Sequence, residues 1–263
     1  MKKTVPALTL CAALALSACS GGSTPASKAS APAASTTTTS APTPGTVVEG
    51  SSFGPRVRAA VLAARTAHIA MTATGMKAEG DVATEAGSVR EHLTMTVSGT
   101  PMEMILRDDA MYMRSPALSL GDKWVVARSG GTDMLSRQLQ PVFTQIKGLD
   151  PAKQVSSYVV GSQKVVGQES LDGVATTHYT AHPTEAEMRR TLAPAMAGQM
   201  ASVRLTDISV DTWVDARDLP HKIVTSMKVN GKDVTTTVLM SRFGEPVSIE
   251  APPSSQTTTA PQQ

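Results

Sequence analysis

Few residues of this chain have types and spacings that could support chemistry. His178 and His182 are four residues apart, as metal ligands on a helix often are. They fall at the end of a predicted strand, where four residues span about 13 Å, so they could share one ion only across a sharp bend. Asp215, Arg217 and Asp218 fit a charged turn better than an acid–base pair. Because the sequence also has no Gly-x-Ser-x-Gly elbow and no phosphate-binding glycine pattern, we predict no catalytic residue, metal site or cofactor.

Charge and cysteine usage exclude several classes of protein. The 263 residues carry 24 basic and 22 acidic side chains, a formal net charge of +2. Nucleic-acid binding needs a concentrated basic surface, so we expect no nucleic-acid partner. The two cysteines, Cys11 and Cys19, both lie near the N-terminus. The remainder of the chain therefore has no disulfide framework, no cysteine zinc site and no thiol nucleophile.

Cys19 is the residue for which the sequence predicts a covalent modification. Lys2 and Lys3 precede an apolar run of about a dozen residues, too short to span a bilayer and typical of a secretory signal. The run ends in Leu16-Ser17-Ala18-Cys19, which resembles the bacterial lipobox. The resemblance implies that residues 1–18 are a signal peptide and that the Cys19 thiol receives a diacylglyceryl group. Together with a further acyl chain such as palmitate, this would anchor the protein at the extracytoplasmic face of the cell membrane. An ordinary secretory signal with an incidental cysteine is the alternative.

Low-complexity segments flank the predicted domain. Residues 19–52 are mostly Ser, Thr, Ala, Pro and Gly, with Lys28 and Glu49 as their only charges. Such a composition buries too little apolar surface to fold, so we predict a disordered tether with an average reach of about 30 Å. Residues 251–263 are similar and are predicted to be a disordered tail. A folded domain is therefore expected over 53–250.

Within 53–250 the hydrophobic pattern is mainly that of strands. Apolar residues alternate with polar ones in short segments that end in turns, as Leu93, Met95 and Val97 do. Helical spacing occurs in three places. These are 56–66, a run after the N-cap candidate Thr132 that Pro141 interrupts, and a run from Pro183 to Met200. We predict one α+β domain, in which an antiparallel sheet of about ten or eleven strands curls around two or three helices.

Several local motifs, taken with the order of the elements, carry a family resemblance. They are Gly121-Asp122-Lys123-Trp124-Val125, Leu149-Asp150-Pro151, Gly167-Gln168-Glu169 with Asp172-Gly173-Val174 and Thr177-His178-Tyr179, Trp213-Val214-Asp215 with Leu219-Pro220, and Phe243-Gly244-Glu245-Pro246-Val247. With the lipobox and the tether, they resemble the actinobacterial, mycobacterial-type envelope lipoproteins related to LppX and LprG. That family shares the half-barrel fold of the carriers LolA and LolB. The resemblance implies a large curved antiparallel sheet wrapped around helices over most of 53–250.

The resemblance also implies a function. In this family the sheet and helices enclose an apolar cavity, and several members bind acylated lipids or lipoglycans and move them across the envelope. We therefore expect a membrane-anchored, non-enzymatic lipoprotein that carries or presents acylated lipids or glycolipids, with an envelope transport partner as a further candidate. The alternative is a protein-interaction or sensory lipoprotein with a filled core and no lipid cargo.

Methionines supply the candidate lining of such a cavity. The chain has 14 of them, and several alternate along neighbouring predicted strands, so one concave face could collect them. Flexible, polarizable methionine suits acyl chains, although the same residues could simply replace scarce aromatic residues in a core. The predicted lining consists of Met95, Met102, Met104, Leu106, Met111, Met113, Leu135 and Leu139.

Two further features have alternative interpretations. Trp124 could lie at the mouth of a cavity or pack in the core. Arg189 and Arg190 could form a solvated helix face or meet a lipid phosphate, and the solvated face is the preferred interpretation.

Overall fold

A single large sheet dominates the computed structural model, which describes residues 42–85, 88–118, 121–148, 161–191 and 202–259. The strands are β1 Val47–Val48, β2 Thr66–Ala73, β3 Met76–Glu85, β4 Ser88–Val97, β5 Thr100–Arg107, β6 Ala110–Arg114, β7 Trp124–Arg128, β8 Gln163–Leu171, β9 Val174–Ala181, β10 Leu205–Asp215, β11 Pro220–Val229, β12 Lys232–Ser241 and β13 Thr257–Thr258. Their order in the sheet is β1-β8-β9-β10-β11-β12-β2-β3-β4-β5-β6-β7-β13. Neighbouring strands are antiparallel, except that β13 pairs in parallel with β7. The predicted signal peptide and Cys19 lie outside the described residues.

Three α-helices are described, and their buried side chains pack on the same face of the sheet, here called the inner face. They are α1 Gly50–Ala64, α2 Met134–Gly148 and α3 Glu185–Thr191. Short 3-10 helices occur at Pro116–Leu118 and Ser254–Gln256. Within the described ranges, no helix is both long and apolar enough to cross a membrane. The predicted α+β class, with a large sheet around helices, is confirmed.

The folded part extends beyond the predicted boundaries at 53 and 250. β1 falls inside the predicted tether and pairs with β8, where Val47 lies opposite Lys164. β13 falls inside the predicted tail and pairs with β7, where Thr257 lies opposite Trp124. Both boundaries were wrong because composition reports on core-forming segments. A two-residue strand needs only backbone hydrogen bonds to an open sheet edge, which any residue except proline can donate.

Backbone geometry explains the presence of glycine in the β11–β12 hairpin and at a close contact between β3 and β4. Asn230 and Gly231 both have positive φ angles, 50° and 80°, as the tight hairpin between β11 and β12 requires. A Cβ atom on Gly80 of β3 would lie 1.9 Å from the backbone oxygen of His92 on β4. No side chain fits at that distance, so glycine is required where these two strands approach.

The first helix begins earlier than its hydrophobic pattern indicates. α1 starts at Gly50 and includes Pro55, whereas the prediction placed its start at Arg56. The backbone N–H groups of Ser52 and Phe53 donate to the Glu49 oxygen at 2.9 and 3.0 Å, which forms the first turn. The hydrophobic pattern does not predict this turn, because its small polar residues contribute little to helical spacing.

The other two helices have side-chain caps. Asp133, not Thr132, is the N-cap of α2, since its Oδ1 accepts a hydrogen bond from the Ser136 backbone N–H at 2.9 Å. α2 then continues to Gly148 without the interruption predicted at Pro141. One lost backbone hydrogen bond does not end a helix that also packs on a sheet.

At the start of α3, Thr184 and Glu187 form a reciprocal capping box. The Glu187 carboxylate accepts from the Thr184 N–H at 2.8 Å, and the Thr184 hydroxyl accepts from the Glu187 N–H at 3.2 Å. The predicted helical run beyond Thr191 lies outside the described residues.

Candidate ligand-binding face

The inner face is built from rows of side chains that strand pairing places side by side. Two rows cross β4 to β7, Glu91–Leu106–Met111–Ala127 and Leu93–Met104–Met113–Val125, and a third, Met95–Met102, joins β4 and β5. Alternate residues of a strand face the same side of a sheet. The rows therefore point towards the face that carries the helices, and they are apolar except at Glu91.

Six of the eight residues predicted to line a cavity form one packed cluster. Phe143 of α2 is 2% exposed and packs with Leu106, Met111 and Ala127. The partly buried members of this cluster are Met104, Met113, Leu135 and Leu139. The structure therefore brings these predicted residues together, and α2 closes this end of the inner face.

The remaining two predicted residues, Met95 and Met102, lie beyond this cluster. They are register partners on β4 and β5, and both are only partly buried. Their row continues through Ala78 of β3 to Met71 of β2. Neither Met95 nor Met102 belongs to the clusters that α1, α2 and α3 form with the sheet. Ala78 is buried and Met71 packs against the cluster around Met188 of α3, so the part of this row that the described helices leave open is the Met95–Met102 pair.

The other helices cover the opposite half of the sheet. On α1, Phe53 and Val57 are 0% exposed and pack with side chains of β8 to β10, and the Phe53 and Tyr179 ring centroids are 4.5 Å apart. On α3, Met188 packs with side chains of β10 to β12, among them Val210 and Ile223. The inner face thus has closed regions at both ends and the Met95–Met102 row between them.

Glu91 is an acidic side chain within the inner face. It lies opposite Val82 on one neighbouring strand and Leu106 on the other. In the described part of the chain, no hydrogen bond or ion pair reaches its carboxylate. Burial raises the pKa of the Glu91 carboxyl, because the apolar surroundings disfavour the charged form.

The outer face of the sheet carries most of the charge. His68 Nδ1 lies 2.8 Å from Asp81 Oδ1, and His92 Nε2 lies 2.8 Å from Glu103 Oε1. Burial alone would raise the pKa of Glu103, but hydrogen bonds from His92 and Arg114 outweigh it and hold that pKa below its usual value. A groove of about 610 Å³ over β2 to β4 is lined mainly by such polar side chains. None of the eight predicted residues borders this groove.

The histidine pair considered for a metal site is separated in the structure. His178 stacks on Trp213 with ring centroids 4.1 Å apart, and its ring nitrogens face Glu169 at 2.9 Å and Asp211 at 3.1 Å. His182 is exposed and makes no such contact. Across the described ranges, no group of three or more His, Cys, Asp or Glu side chains could hold a metal ion. The hydrogen bond from Trp213 Nε1, at 2.7 Å, lowers the pKa of Glu169.

Trp124 packs in a core on the outer face, the second of its two interpretations. It is 4% exposed and belongs to a cluster with Tyr112, Val126 and Ile249. The Arg114 guanidinium lies 4.7 Å from the centre of its ring. The C-terminal segment that contains Ile249 therefore covers this part of the outer face.

Comparison with known proteins supports the fold. Among solved structures, LprF from Mycobacterium bovis matches with a TM-score of 0.50 and 14% identity, over 77% of this chain and 96% of that one. The chain has the fold of LprF. At the level of fold, this match confirms the resemblance to the mycobacterial-type LppX and LprG lipoproteins.

Sequence comparison matches a smaller part of the chain than the comparison of structures does. No family model matches the chain. An uncharacterized 31.2 kDa protein from the rplA-rplJ intergenic region of Streptomyces griseus is 30% identical over 121 residues. The alignment spans 43% of this chain and 40% of that protein.

The structure shows the surroundings of three charged residues considered in the sequence analysis, Arg189, Arg190 and Asp215. Arg189 donates to Glu185 at 3.0 Å within α3 and to the Val203 backbone oxygen, so it links the helix to the segment that precedes β10. Arg190 is exposed, as the preferred interpretation of a solvated helix face requires. Asp215 accepts from the Arg217 and Leu219 N–H groups at 2.8 and 2.9 Å, which confirms the predicted turn.

Glu91 is the inner-face residue that the sequence analysis missed. Strand alternation carried the signal, since Glu91 is two residues before Leu93 and four before Met95, both assigned to one face. Residue type alone argues against this position, because charged residues are rarely placed in an apolar surface.

Proposed function

We propose that the chain is a lipid-anchored envelope lipoprotein whose inner face binds acylated lipids or glycolipids and carries or presents them in the cell envelope. The observation that carries this proposal is the partly buried Met95–Met102 row, which lies between regions closed by helices. A partly exposed apolar surface of this kind is unfavourable in water and gains stability when an apolar ligand covers it.

Methionine is suited to this role. Its side chain is unbranched and polarizable, so it adapts to the irregular shape of an acyl chain. The transfer of an acyl chain from a bilayer to such a surface exchanges one apolar environment for another. The free-energy difference is therefore small and the transfer reversible, and no covalent bond is made or broken.

The anchor completes the proposal. Acylation of Cys19 would hold the protein at the extracytoplasmic face of the cell membrane, next to its lipid source. Two or more acyl chains give a stable attachment, whereas one chain gives only reversible binding. An envelope transport partner that loads or unloads the domain is part of the same proposal.

Native mass spectrometry of the full chain with Cys19→Ser, purified from its own host without detergent, tests the proposal. This substitution removes the anchor and leaves every residue of the inner face unchanged. A stoichiometric acylated ligand that survives gel filtration is the expected result. A secreted protein from the same host, taken through the same columns, controls for lipid carried over non-specifically. An apo mass, combined with no uptake of added lipid, would overturn the proposal and favour an interaction module with a filled core.

A further inference from the structure

Glu91 occupies a position where an ionised group is costly. It lies in the row Ala67–Val82–Glu91–Leu106–Met111–Ala127, which crosses β2 to β7. Among the described inward-facing positions of these six strands, it is the one charged residue. Its side chain is only partly exposed, and no described residue donates a hydrogen bond to it.

A partly buried carboxyl without a protein partner is costly to ionise, and proteins normally pair or neutralise such a group. Carboxylates on the outer face, in contrast, have partners within the chain. Asp81 lies 2.8 Å from His68, and Asp215 accepts two backbone hydrogen bonds. Glu91 differs from these carboxylates, since its hydrogen-bond donors must come from solvent or from a bound ligand.

We propose that Glu91 binds the hydrogen-bond-donating headgroup of the amphiphile that occupies the inner face, either a hydroxyl or an ammonium group. This inference rests on the function proposed above. The methionine rows beside Glu91 accept the acyl chain, and the carboxyl receives the polar end. An anionic headgroup, such as a carboxylate or a phosphate, is disfavoured because it would place like charges together in an apolar setting.

The test compares three amphiphiles that share a hexadecyl tail and differ in the headgroup: hexadecanol, hexadecylammonium and palmitate. Each is titrated below its solubility or micelle limit into the Cys19→Ser chain, and the dissociation constant is measured. The expected result is binding of hexadecanol and hexadecylammonium about tenfold or more tightly than palmitate, as one hydrogen bond to a charged group provides.

Variants on the same background identify the group responsible. Glu91→Gln keeps the shape of the side chain, and Glu91→Leu makes the row wholly apolar, so at least one variant should fold. Both should retain affinity for the tail and lose the discrimination against palmitate. Glu79→Gln is the matched control, because Glu79 lies on the outer face of β3 and its side chain is 70% exposed.

The outcomes separate this inference from the function on which it rests. If the wild-type chain binds all three amphiphiles equally, or if Glu91→Gln leaves the discrimination unchanged, the role of Glu91 is wrong and lipid binding stands. If the wild-type chain binds none of the three, both proposals fail.

Discussion

Asp133 and Ser136 join the start of α2 to the edge of the sheet. Asp133 Oδ1 accepts from the Ser136 backbone N–H at 2.9 Å, and the Ser136 hydroxyl accepts from the Arg128 backbone N–H of β7 at the same distance. Ser136 is 0% exposed. The cap thus fixes both the beginning of α2 and its position over the inner face.

The cap makes the stability of the protein depend on pH through Asp133. Hydrogen bonds from the Ser136 hydroxyl and backbone lower the pKa of Asp133 in the folded protein. A lowered folded-state pKa contributes stability above the unfolded pKa of about 3.9, and that stability is lost as the pH falls through the folded value. We expect Asp133→Asn to be less stable than the wild type near neutral pH, with the difference shrinking in acid. Urea unfolding of both proteins at neutral pH and in acid checks this. An equal difference in the free energy of unfolding under both conditions would contradict it.

Phe143 is expected to be the main anchor of α2. Its side chain is 2% exposed and packs on Leu106, Met111 and Ala127. Phe143→Ala should lower the free energy of unfolding by about 3–5 kcal/mol, through lost burial and a residual cavity. Met134→Ala on the same helix is the control, because Met134 is 37% exposed and should cost well under about 1 kcal/mol. Similar losses for the two variants would show that α2 does not depend on this contact.

The length of each sequence pattern decides which parts of the fold could be predicted. Strand alternation predicted the sheet and the shared face of the methionines, and helical spacing predicted the helical runs, because each depends on a periodic pattern many residues long. The two-residue strands β1 and β13 have no such pattern, and their position depends on a neighbouring edge far away in sequence. The cap at Asp133 depends on one hydrogen bond, and Thr132 has an equally suitable side chain.

Gly80 is expected to tolerate no side chain. Gly80→Ala places a Cβ where the His92 oxygen now lies, at 1.9 Å, so β3 and β4 must separate. A loss of about 2–3 kcal/mol in the free energy of unfolding is the expected result. Gly167→Ala provides the comparison, since a Cβ there meets nothing within 4 Å. Thermal or urea unfolding of the two variants should rank them in this order, and an unchanged Gly80→Ala protein would refute the strain.

Cys19 and Cys11 provide a matched pair for the proposed anchor. Cys19→Ser should move the protein from the detergent phase to the aqueous phase of a phase-separating detergent, because the acyl chains are then absent. Cys11→Ser should leave the protein in the detergent phase, since Cys11 lies in the segment that the lipobox predicts is removed. Mass spectrometry of the purified chains gives the added lipid mass directly. Retention in the detergent phase of a Cys19→Ser chain whose mass shows that residues 1–18 have been removed would exclude Cys19 as the attachment point.

Met95 and Thr94 test which face of the sheet receives the ligand. They are neighbours on β4, but Met95 faces the inner side and pairs with Met102, whereas Thr94 is exposed on the outer side, at the 610 Å³ groove. Met95→Lys would introduce a charge into the proposed acyl-chain surface, so affinity for hexadecanol should fall about tenfold or more. Thr94→Lys adds the same charge one residue away and should leave that affinity unchanged. Met95→Leu, which keeps the surface apolar, should bind nearly as well as the wild type, and circular dichroism verifies that each variant is folded. A larger loss from Thr94→Lys than from Met95→Lys would move the site to the outer groove.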